Sequence, residues 1–184
     1  MKIAITGGIG SGKSYVCRRL EERGIRIYDC DDAAKRLMRT SEQLKRQLTE
    51  LVGPEVYADG RLVKLVMTRF LLASEANQKA VNAIVHPAVA EDFRQSGYDW
   101  MECAILFESG FDRLVGRVVC VTAPTEVRVQ RIMERDSITR SQAEEWLTKQ
   151  LPQEEVARRS DFVIVNDGVR DVSEQIEKFF QQLK

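Results

Sequence analysis

Residues 7–14, Gly-Gly-Ile-Gly-Ser-Gly-Lys-Ser, constrain the fold of this chain more than any other segment. They match the pattern G-x-x-x-x-G-K-[ST] at every position, between a short apolar run at 2–6 and a helical pattern at 13–23. Because glycines lack a Cβ, successive N–H groups of such a segment can point inward at phosphate oxygens, and the following helix adds its positive N-terminus. The segment therefore predicts a phosphate-binding loop between a strand and a helix.

The side chains of this loop fit a nucleoside triphosphate. Lys13 is expected to reach the β- and γ-phosphates, and the Ser14 hydroxyl is placed to ligate Mg²⁺. The alternative is a chance glycine-rich turn, which the flanking strand and helix argue against. We expect the nucleotide to be contacted by Gly8, Gly10, Ser11, Gly12, Lys13, Ser14 and Tyr15.

Short apolar runs alternate along the chain with longer amphipathic stretches. This pattern predicts an α/β fold built on a five-stranded parallel sheet, since strands covered on both faces are apolar throughout. The expected strands are 2–6, 25–28, 101–107, 117–122 and 162–165.

Two intervals, 31–96 and 126–159, are too long to be simple crossovers. We expect helical insertions at the carboxyl edge of the sheet, where ligands bind in open α/β folds. Residues 1–30, 97–125 and 160–184 then form the nucleotide-binding core. In a small-molecule kinase, the first insertion would hold the acceptor and the second would close as a lid.

The composition argues against several classes of protein. The chain has 184 residues, 43% hydrophobic and 30% charged, which allows a sizeable core and argues against disorder. Lys plus Arg (28) equal Asp plus Glu (28), so net charge predicts neither nucleic acid nor a membrane as partner. Four scattered cysteines and one histidine, His86, argue against a zinc site. With no membrane-length apolar run and no signal-peptide pattern, we expect a cytoplasmic protein.

The class of nucleotide-binding protein is narrowed by a missing motif. The sequence has no Asn-Lys-x-Asp, the segment with which switch GTPases read guanine. The chain length and the two insertions favour a small-molecule kinase. A nucleoside monophosphate kinase and a nucleotide-binding switch without catalysis stay as alternatives.

Carboxylates follow the second predicted strand in Asp29-Cys30-Asp31-Asp32. Strand alternation would place Asp29 and Asp31 on one side and Cys30 on the other. Phosphoryl transfer to an alcohol needs a group that orients the hydroxyl and accepts its proton, and we predict this role for Asp31. Asp31 or Asp32 could instead cap the following helix, and we favour the cap for Asp32.

Further motifs follow in a fixed order, and together with 6–14 and Asp29-Cys30-Asp31 they resemble those of the dephospho-CoA kinase family. The ordered set covers essentially the whole chain, whereas the phosphate loop alone is generic. The matching segments are Asn82-Ala83-Ile84-Val85-His86-Pro87, Leu106-Phe107-Glu108, Gln130-Arg131 with Arg135-Asp136 and Arg140, Gln150, and 161–168.

The resemblance implies ATP-dependent phosphorylation of the ribose 3′-hydroxyl of dephospho-CoA, giving coenzyme A and ADP. It implies a P-loop NTPase core of nucleoside-monophosphate-kinase type with a helical acceptor domain and a lid, Mg²⁺ as cofactor, and ATP and dephospho-CoA as partners. By match to the motifs, Asp31 is the catalytic base or orienter, and Asn166 and Gly168 lie near the adenine of ATP. The residues expected at the acceptor are Thr6, Asp31, His86 and Phe107.

Two candidates have structural alternatives. His86 precedes Pro87, where a helix is expected to end, so it either holds a turn or contacts the acceptor. Glu108 closes an apolar strand, so it either joins the Mg²⁺ shell through water, as Asp31 could, or positions the neighbouring loop.

Three arginines, Arg131, Arg135 and Arg140, recur on the predicted lid. Because charges on this stretch balance, the arginines could lie on a solvated, salt-bridged helix face. Kinases nevertheless need a cation over the transferring phosphoryl group. We predict that Arg140 is catalytic together with Lys13 and that Arg135 binds ATP, in preference to Arg131.

Overall fold

The computed structural model describes residues 1–183. Strands and helical stretches follow in the order that the sequence predicts, except for a short hairpin inside the first insertion, and two short 3₁₀ turns lie at Pro54–Val56 and Phe111–Leu114. In chain order the elements are β1 (Ile3–Thr6), α1 (Lys13–Glu21), β2 (Ile27–Asp29), α2 (Cys30–Thr40), α3 (Glu42–Val52), β3 (Tyr57–Ala58), β4 (Arg61–Leu62), α4 (Lys64–Ala73), α5 (Glu75–Gln95), β5 (Trp100–Glu102), β6 (Arg117–Thr122), α6 (Thr125–Asp136), α7 (Arg140–Thr148), α8 (Gln153–Arg158), β7 (Phe162–Val165) and α9 (Val172–Gln182).

Five strands form one sheet in the order β2-β5-β1-β6-β7. β1 pairs in parallel with β5 and β6, so that Ala4 lies opposite both Met101 and Val118, and β6 pairs in parallel with β7. All four residues of β1 are buried, as expected for a central strand covered on both faces. The predicted α/β fold with a five-stranded parallel sheet is confirmed.

Helices α1 and α9 pack against the sheet in one apolar cluster. Their buried residues recur at helical spacing, so each helix turns one stripe toward β1, β6 and β7. This packing fixes α1 on the sheet, and with it the loop that joins β1 to α1. The helical members are Val16, Cys17 and Leu20 from α1 and Val172, Ile176 and Phe179 from α9.

The chain divides into two compact units, one made of residues 1–28 and the chain from Tyr98 onward, the other of Asp29–Gly97. The first unit carries the loop, most of the sheet and helices α6–α8. The second contains helices α2–α5 and the hairpin β3–β4, whose turn residues Asp59 and Gly60 both have positive φ. A turn of this kind matches the twist of the strands that it joins.

Strand β5 is shorter than the strand predicted at 101–107. It ends at Glu102, and the following segment forms turns in which Ser109 N donates to Ile105 O and Phe111 N to Leu106 O. Leu106 is nevertheless fully buried, which explains why the segment has the apolar composition of a strand. The prediction that Glu108 closes a strand is therefore wrong.

Helix α5 continues through Pro87, so the helix end predicted beside His86 is also wrong. A proline inside a helix removes one backbone hydrogen bond and usually kinks or ends the helix. Here a buried stripe with four-residue spacing crosses the proline, and its packing stabilises the helix on both sides. The stripe is Val81, Val85, Val89 and Phe93.

All four cysteines, Cys17, Cys30, Cys103 and Cys120, are buried and free. Burial raises the pKa of the Cys17 thiol, and raises that of Cys120 to about 11. These two thiols are therefore protonated at neutral pH and serve as core residues. Within residues 1–183, no helix is both long enough and apolar enough to cross a bilayer.

Candidate active site

Gly7 and Gly12, in the loop between β1 and α1, have backbone positions that only glycine fits. At Gly7, with φ of +143°, a Cβ would overlap the carbonyl oxygen of Val121 on the neighbouring strand β6. At Gly12, with φ of +90°, a Cβ would overlap the side-chain amide of Asn166. The glycines therefore let the loop lie against β6 and Asn166 without a gap.

Carbonyl groups of the loop are held by side chains from outside it. Arg128 Nε donates to Ile9 O at 2.9 Å, and Asn166 Nδ2 donates to Ser11 O at 3.0 Å. Arg131 Nη1 lies 3.3 Å from both Gly10 O and Ser11 O. With these carbonyls turned to protein donors, and with the first N–H groups of α1 lacking partners within the helix, the loop offers N–H groups to an anion.

Two buried hydroxyls at the loop have no hydrogen-bond partner among the described residues. They are Ser11 Oγ, on a residue 0% exposed, and Thr6 Oγ1, on a residue 1% exposed. Leaving a buried polar atom unpaired costs free energy, and such atoms are expected where a ligand completes the site. The two hydroxyls therefore fit a loop that holds a polar ligand.

Lys13 lies at the first position of α1, and its Nζ donates to Gly7 O at 2.9 Å. The ammonium thus folds back across the loop that it follows in the sequence. Ser14, the next residue, is exposed on the same helix turn. Tyr15 is also exposed, and its hydroxyl accepts from Arg19 Nη2 at 3.0 Å. The predicted nucleotide-binding residues within 8–15 thus lie together at one helix N-terminus.

Glu102, which the sequence analysis missed, is the carboxylate at the end of β5. Ile5 of β1 lies opposite it, and Cys17 Sγ of α1 donates to Glu102 Oε2 at 3.8 Å. Glu102 therefore occupies the strand-end position beside the loop that was predicted for Glu108. Glu108 is exposed on a turn, where its Oε1 accepts from Leu151 N at 3.4 Å. In the sequence, the signal for this residue was an acidic side chain at the end of the short apolar run Trp100-Met101.

The acidic segment after β2 is helical from Cys30, so the predicted strand alternation of Asp29 and Asp31 is wrong. Asp29 is the N-cap of α2, because its Oδ1 accepts from Asp32 N at 2.9 Å. The cap predicted for Asp32 is therefore also wrong, and Asp32 instead pairs with Lys35 at 3.0 Å. Asp31 lies in the first turn of α2 with an exposed side chain.

Two residues predicted at the acceptor lie in different elements. His86 is half-buried in α5 of the second unit, and burial lowers its pKa. Phe107 lies on the turns after β5 in the first unit, where the Arg159 guanidinium stacks over its ring at 4.0 Å. Their roles at the acceptor stay predictions.

Of the three predicted lid arginines, Arg131 is the one that contacts the loop. Arg135 pairs with Asp136 at 2.7 Å on the surface. Arg140 pairs with Glu126 at 2.6 Å and with Glu144 at 2.8 Å, and its side chain is 53% exposed. In this structure Arg135 and Arg140 therefore form the salt-bridged face considered as the alternative, because acidic neighbours on α6 and α7 are within reach.

Of the two predicted adenine-side residues after β7, Asn166 lies beside the loop. Asn166 is buried and bonds the loop at Ser11, as described above. Gly168 is exposed with φ of +84°. Between them, the Asp167 carboxylate accepts from Val169 N and Arg170 N, and these bonds hold the pKa of Asp167 below its ordinary value. The segment is thus a fixed turn next to the phosphate loop.

Comparison with known proteins identifies the family. A family model described as dephospho-CoA kinase matches residues 1–171. The chain belongs to the dephospho-CoA kinase family. A dephospho-CoA kinase from Bacteroides fragilis is 41% identical over 187 residues, covering 96% of this chain and 89% of that protein. The predicted family, activity and class of enzyme, a kinase with an alcohol group as acceptor, are confirmed.

Solved structures agree with the fold. A Thermus thermophilus protein of known crystal structure superposes with a TM-score of 0.84 at 30% identity, covering 100% of this chain and 98% of that one. The dephospho-CoA kinase from Campylobacter jejuni superposes with a TM-score of 0.68 at 20% identity, covering 100% and 98%.

Proposed function

We propose that the phosphate loop and Asp31 are the principal groups with which this protein transfers the γ-phosphoryl group of ATP to the ribose 3′-hydroxyl of dephospho-CoA. The bond from the γ-phosphorus to the β,γ-bridging oxygen breaks, a bond to the 3′-oxygen forms, and the hydroxyl proton leaves. The observation that carries the proposal is the loop with its two unpartnered buried hydroxyls, in a chain that the family model matches over residues 1–171. The reaction would take place in the cytoplasm, with ATP as the phosphate donor.

The loop would bind the β- and γ-phosphates through its N–H groups, the Ser11 hydroxyl and Lys13. The Lys13 ammonium, now on Gly7 O, would move its hydrogen bonds to phosphate oxygens. Charge that develops between the β- and γ-phosphates in the transition state is stabilised by such fixed donors. Asn166 and Gly168 would lie on the adenine side, and Arg131, through its contacts with Gly10 and Ser11, would hold the loop in shape.

Asp31 would orient the acceptor hydroxyl and take its proton. Its carboxylate is exposed in the first turn of α2, and Asp29 fixes that turn by capping it. The transition state of phosphoryl transfer is loose, so the hydroxyl has to be aimed before it is deprotonated. Thr6, His86 and Phe107 are proposed as further contacts of dephospho-CoA.

The residues around the loop fit Mg²⁺ carried in with the nucleotide. Ser14 offers an exposed hydroxyl, and the Glu102 carboxylate lies at the end of the strand next to β1. Within residues 1–183 no three acidic, cysteine or histidine side chains cluster as a ready metal site, which fits an ion held mostly by phosphates and water. Bound there, Mg²⁺ would neutralise charge on the phosphates. We propose Ser14 as a direct ligand and Glu102, in place of Glu108, through water; Asp31 could join the same water shell.

Helices α6–α8, within the predicted lid at 126–159, would close over the bound ATP. In the free protein this segment already holds the loop, since Gln150 Oε1 accepts from Ile9 N at 2.7 Å and Arg128 and Arg131 of α6 donate to loop carbonyls. Arg135 and Arg140 would exchange their surface carboxylates for phosphate oxygens on closure. The predicted division into core, acceptor domain and lid remains part of this proposal.

A panel of acceptors tests the proposed function. Purified protein is incubated with Mg-ATP and one of dephospho-CoA, a set of nucleoside monophosphates, or water alone, and ADP and the phosphorylated product are quantified. We expect ADP to form in step with coenzyme A only when dephospho-CoA is present. Turnover with a nucleoside monophosphate alone would favour a monophosphate kinase, and ATP binding without any product would favour a switch.

A further inference from the structure

Arg128 is the only buried charged side chain among residues 1–183. It lies in the second turn of α6 and is 6% exposed. The other buried polar side chains are Thr6, Ser11 and Asn166, which all lie at or beside the phosphate loop. In the described part of the chain, the buried polar side chains therefore lie together at the phosphate loop, and Arg128 is the charged one among them.

The Arg128 guanidinium has no ion-pair partner within the described residues. Its Nε donates to Ile9 O at 2.9 Å, and a Cβ on Gly8 would overlap its Nη2, so the group lies against the loop backbone. Burial lowers the pKa of Arg128, and the charge of Glu154 opposes this shift without forming an ion pair. Arginine stays protonated under such conditions, so the cation is fixed at the loop.

A buried cation without a counter-ion destabilises the protein that holds it. At Gly8, where the guanidinium lies, the neighbouring side chain is the neutral Gln150, whose Oε1 accepts from Ile9 N. A hydrogen bond to Ile9 O could be made equally well by a neutral donor. The charge therefore has a purpose only if an anion occupies the loop.

We propose that Arg128 is a positioning residue for polyphosphate, a buried cation fixed at the loop whose cost in the free protein is recovered when the phosphates of a nucleotide enter the loop. It acts through the loop, by holding the Ile9 carbonyl outward and by adding positive potential where the phosphates bind. This inference rests on the proposed function and adds a residue that the motif at 7–14 does not contain.

The proposal predicts that removing the charge has opposite effects on free-state stability and ligand affinity. In Arg128→Gln the side-chain amide can still donate to Ile9 O, but the charge is gone. We expect the melting temperature of the free protein to stay the same or rise. The Kd values of ADP and of inorganic tripolyphosphate should increase about tenfold or more, as for loss of a charge-assisted contact, while that of adenosine stays unchanged. Arg128→Lys, which keeps an ammonium but lacks the planar donor group, should lose less ADP affinity than Arg128→Gln.

The experiment is calorimetric titration of the three ligands into the full chain, with thermal melts of each variant. Arg158→Gln is the matched control, because Arg158 is exposed on α8 and pairs with Glu155 at 2.9 Å, so its loss removes the same charge away from the loop. A lower melting temperature with unchanged ADP affinity would reduce Arg128 to a structural prop and overturn the proposal. An equal loss of adenosine and ADP binding, or an Arg128→Lys variant as weak as Arg128→Gln, would overturn it too. If the wild type bound neither ADP nor tripolyphosphate, the proposed function itself would fail, and this inference with it.

Discussion

Lys13 is the single side chain on which phosphoryl transfer depends most. Its ammonium is already held across the loop by Gly7 O, and in the transition state it would stabilise charge that the ground state lacks. We expect Lys13→Ala to lower kcat by about 100-fold or more while the protein stays folded. Steady-state kinetics with ATP and dephospho-CoA, together with a thermal melt, measure both. Lys178→Ala on the exposed face of α9 is the control, and near-normal turnover of Lys13→Ala would contradict the assignment of the loop.

His86 gives the protein a pH-dependent stability. Burial lowers its pKa in the folded state, so the unfolded chain takes up the proton first as the pH falls. Its contribution to stability is complete above about pH 6.5 and is lost as the pH drops below that value. We expect the free energy of unfolding to fall less between about pH 7.5 and 5.5 in His86→Gln than in wild type. Urea titrations at the two pH values measure this free energy. An equal change with pH in His86→Gln and wild type would show that His86 is not desolvated.

The sequence predicted the site residues that lie in one continuous motif. It did not predict the residues that the fold brings to the site from distant segments. The loop at 7–14 is a local motif, and its residues lie where the motif places them. Arg128 and Glu102 come to the loop from α6 and β5, so only tertiary packing relates them to it. Arg140, predicted as catalytic, pairs with Glu126 and Glu144 in this structure, and its role at the phosphates stays a prediction.

At the scale of elements, the start of α2 depends on the Asp29 cap. Its carboxylate accepts the Asp32 N–H, one of the N–H groups that a helix start leaves unpaired. We expect Asp29→Ala to lower the free energy of unfolding by about 1 kcal/mol. Asp32→Ala, the control, removes an exposed pair with Lys35 and should cost about 0.5 kcal/mol or less. Urea denaturation of both variants measures these free energies. A larger loss of stability in Asp32→Ala than in Asp29→Ala would contradict Asp29 as the cap.

Whether residues 126–159 form a lid can be tested by measuring how ligands change the mobility of this segment. A small apolar cluster joins α6 and α7 through Val129, Ile132 and Ala143, with Ile9 of the loop packed against it. If the segment closes over ATP, hydrogen exchange of 126–159 should be slower with ATP and dephospho-CoA bound than in the free protein. Strand β6 serves as the internal control, since its protection comes from the sheet. Equal exchange in both states would show a fixed domain and leave Arg135 and Arg140 as surface pairs.

Strand boundaries were predictable where an apolar run coincides with a strand. The predicted strands at 117–122 and 162–165 match β6 and β7, because turn residues or charges flank both runs. The apolar run at 101–107 led to a strand prediction that was too long, since turns buried at Leu106 are as apolar as a strand. Pro87 led to a helix prediction that was too short, because the packing of a buried stripe on α5 outweighs the tendency of proline to end a helix.

For the intact protein, the proposed reaction is transfer of a phosphoryl group to an alcohol that Asp31 orients. Asp31 and Asp32 are adjacent, both exposed and both in the first turn of α2, so they form a matched pair of carboxylates. An asparagine preserves size and one acceptor atom but removes the charge and the proton acceptor.

The decisive measurement is kcat with ATP and dephospho-CoA for Asp31→Asn and Asp32→Asn, with ATP affinity determined separately. We expect Asp31→Asn to lose at least about 100-fold in kcat with little change in ATP binding, in the range of general acid–base groups, and Asp32→Asn to lose far less. Wild-type turnover by Asp31→Asn, or a severe loss confined to Asp32→Asn, would contradict the assignment of Asp31 as the group that orients and deprotonates the acceptor.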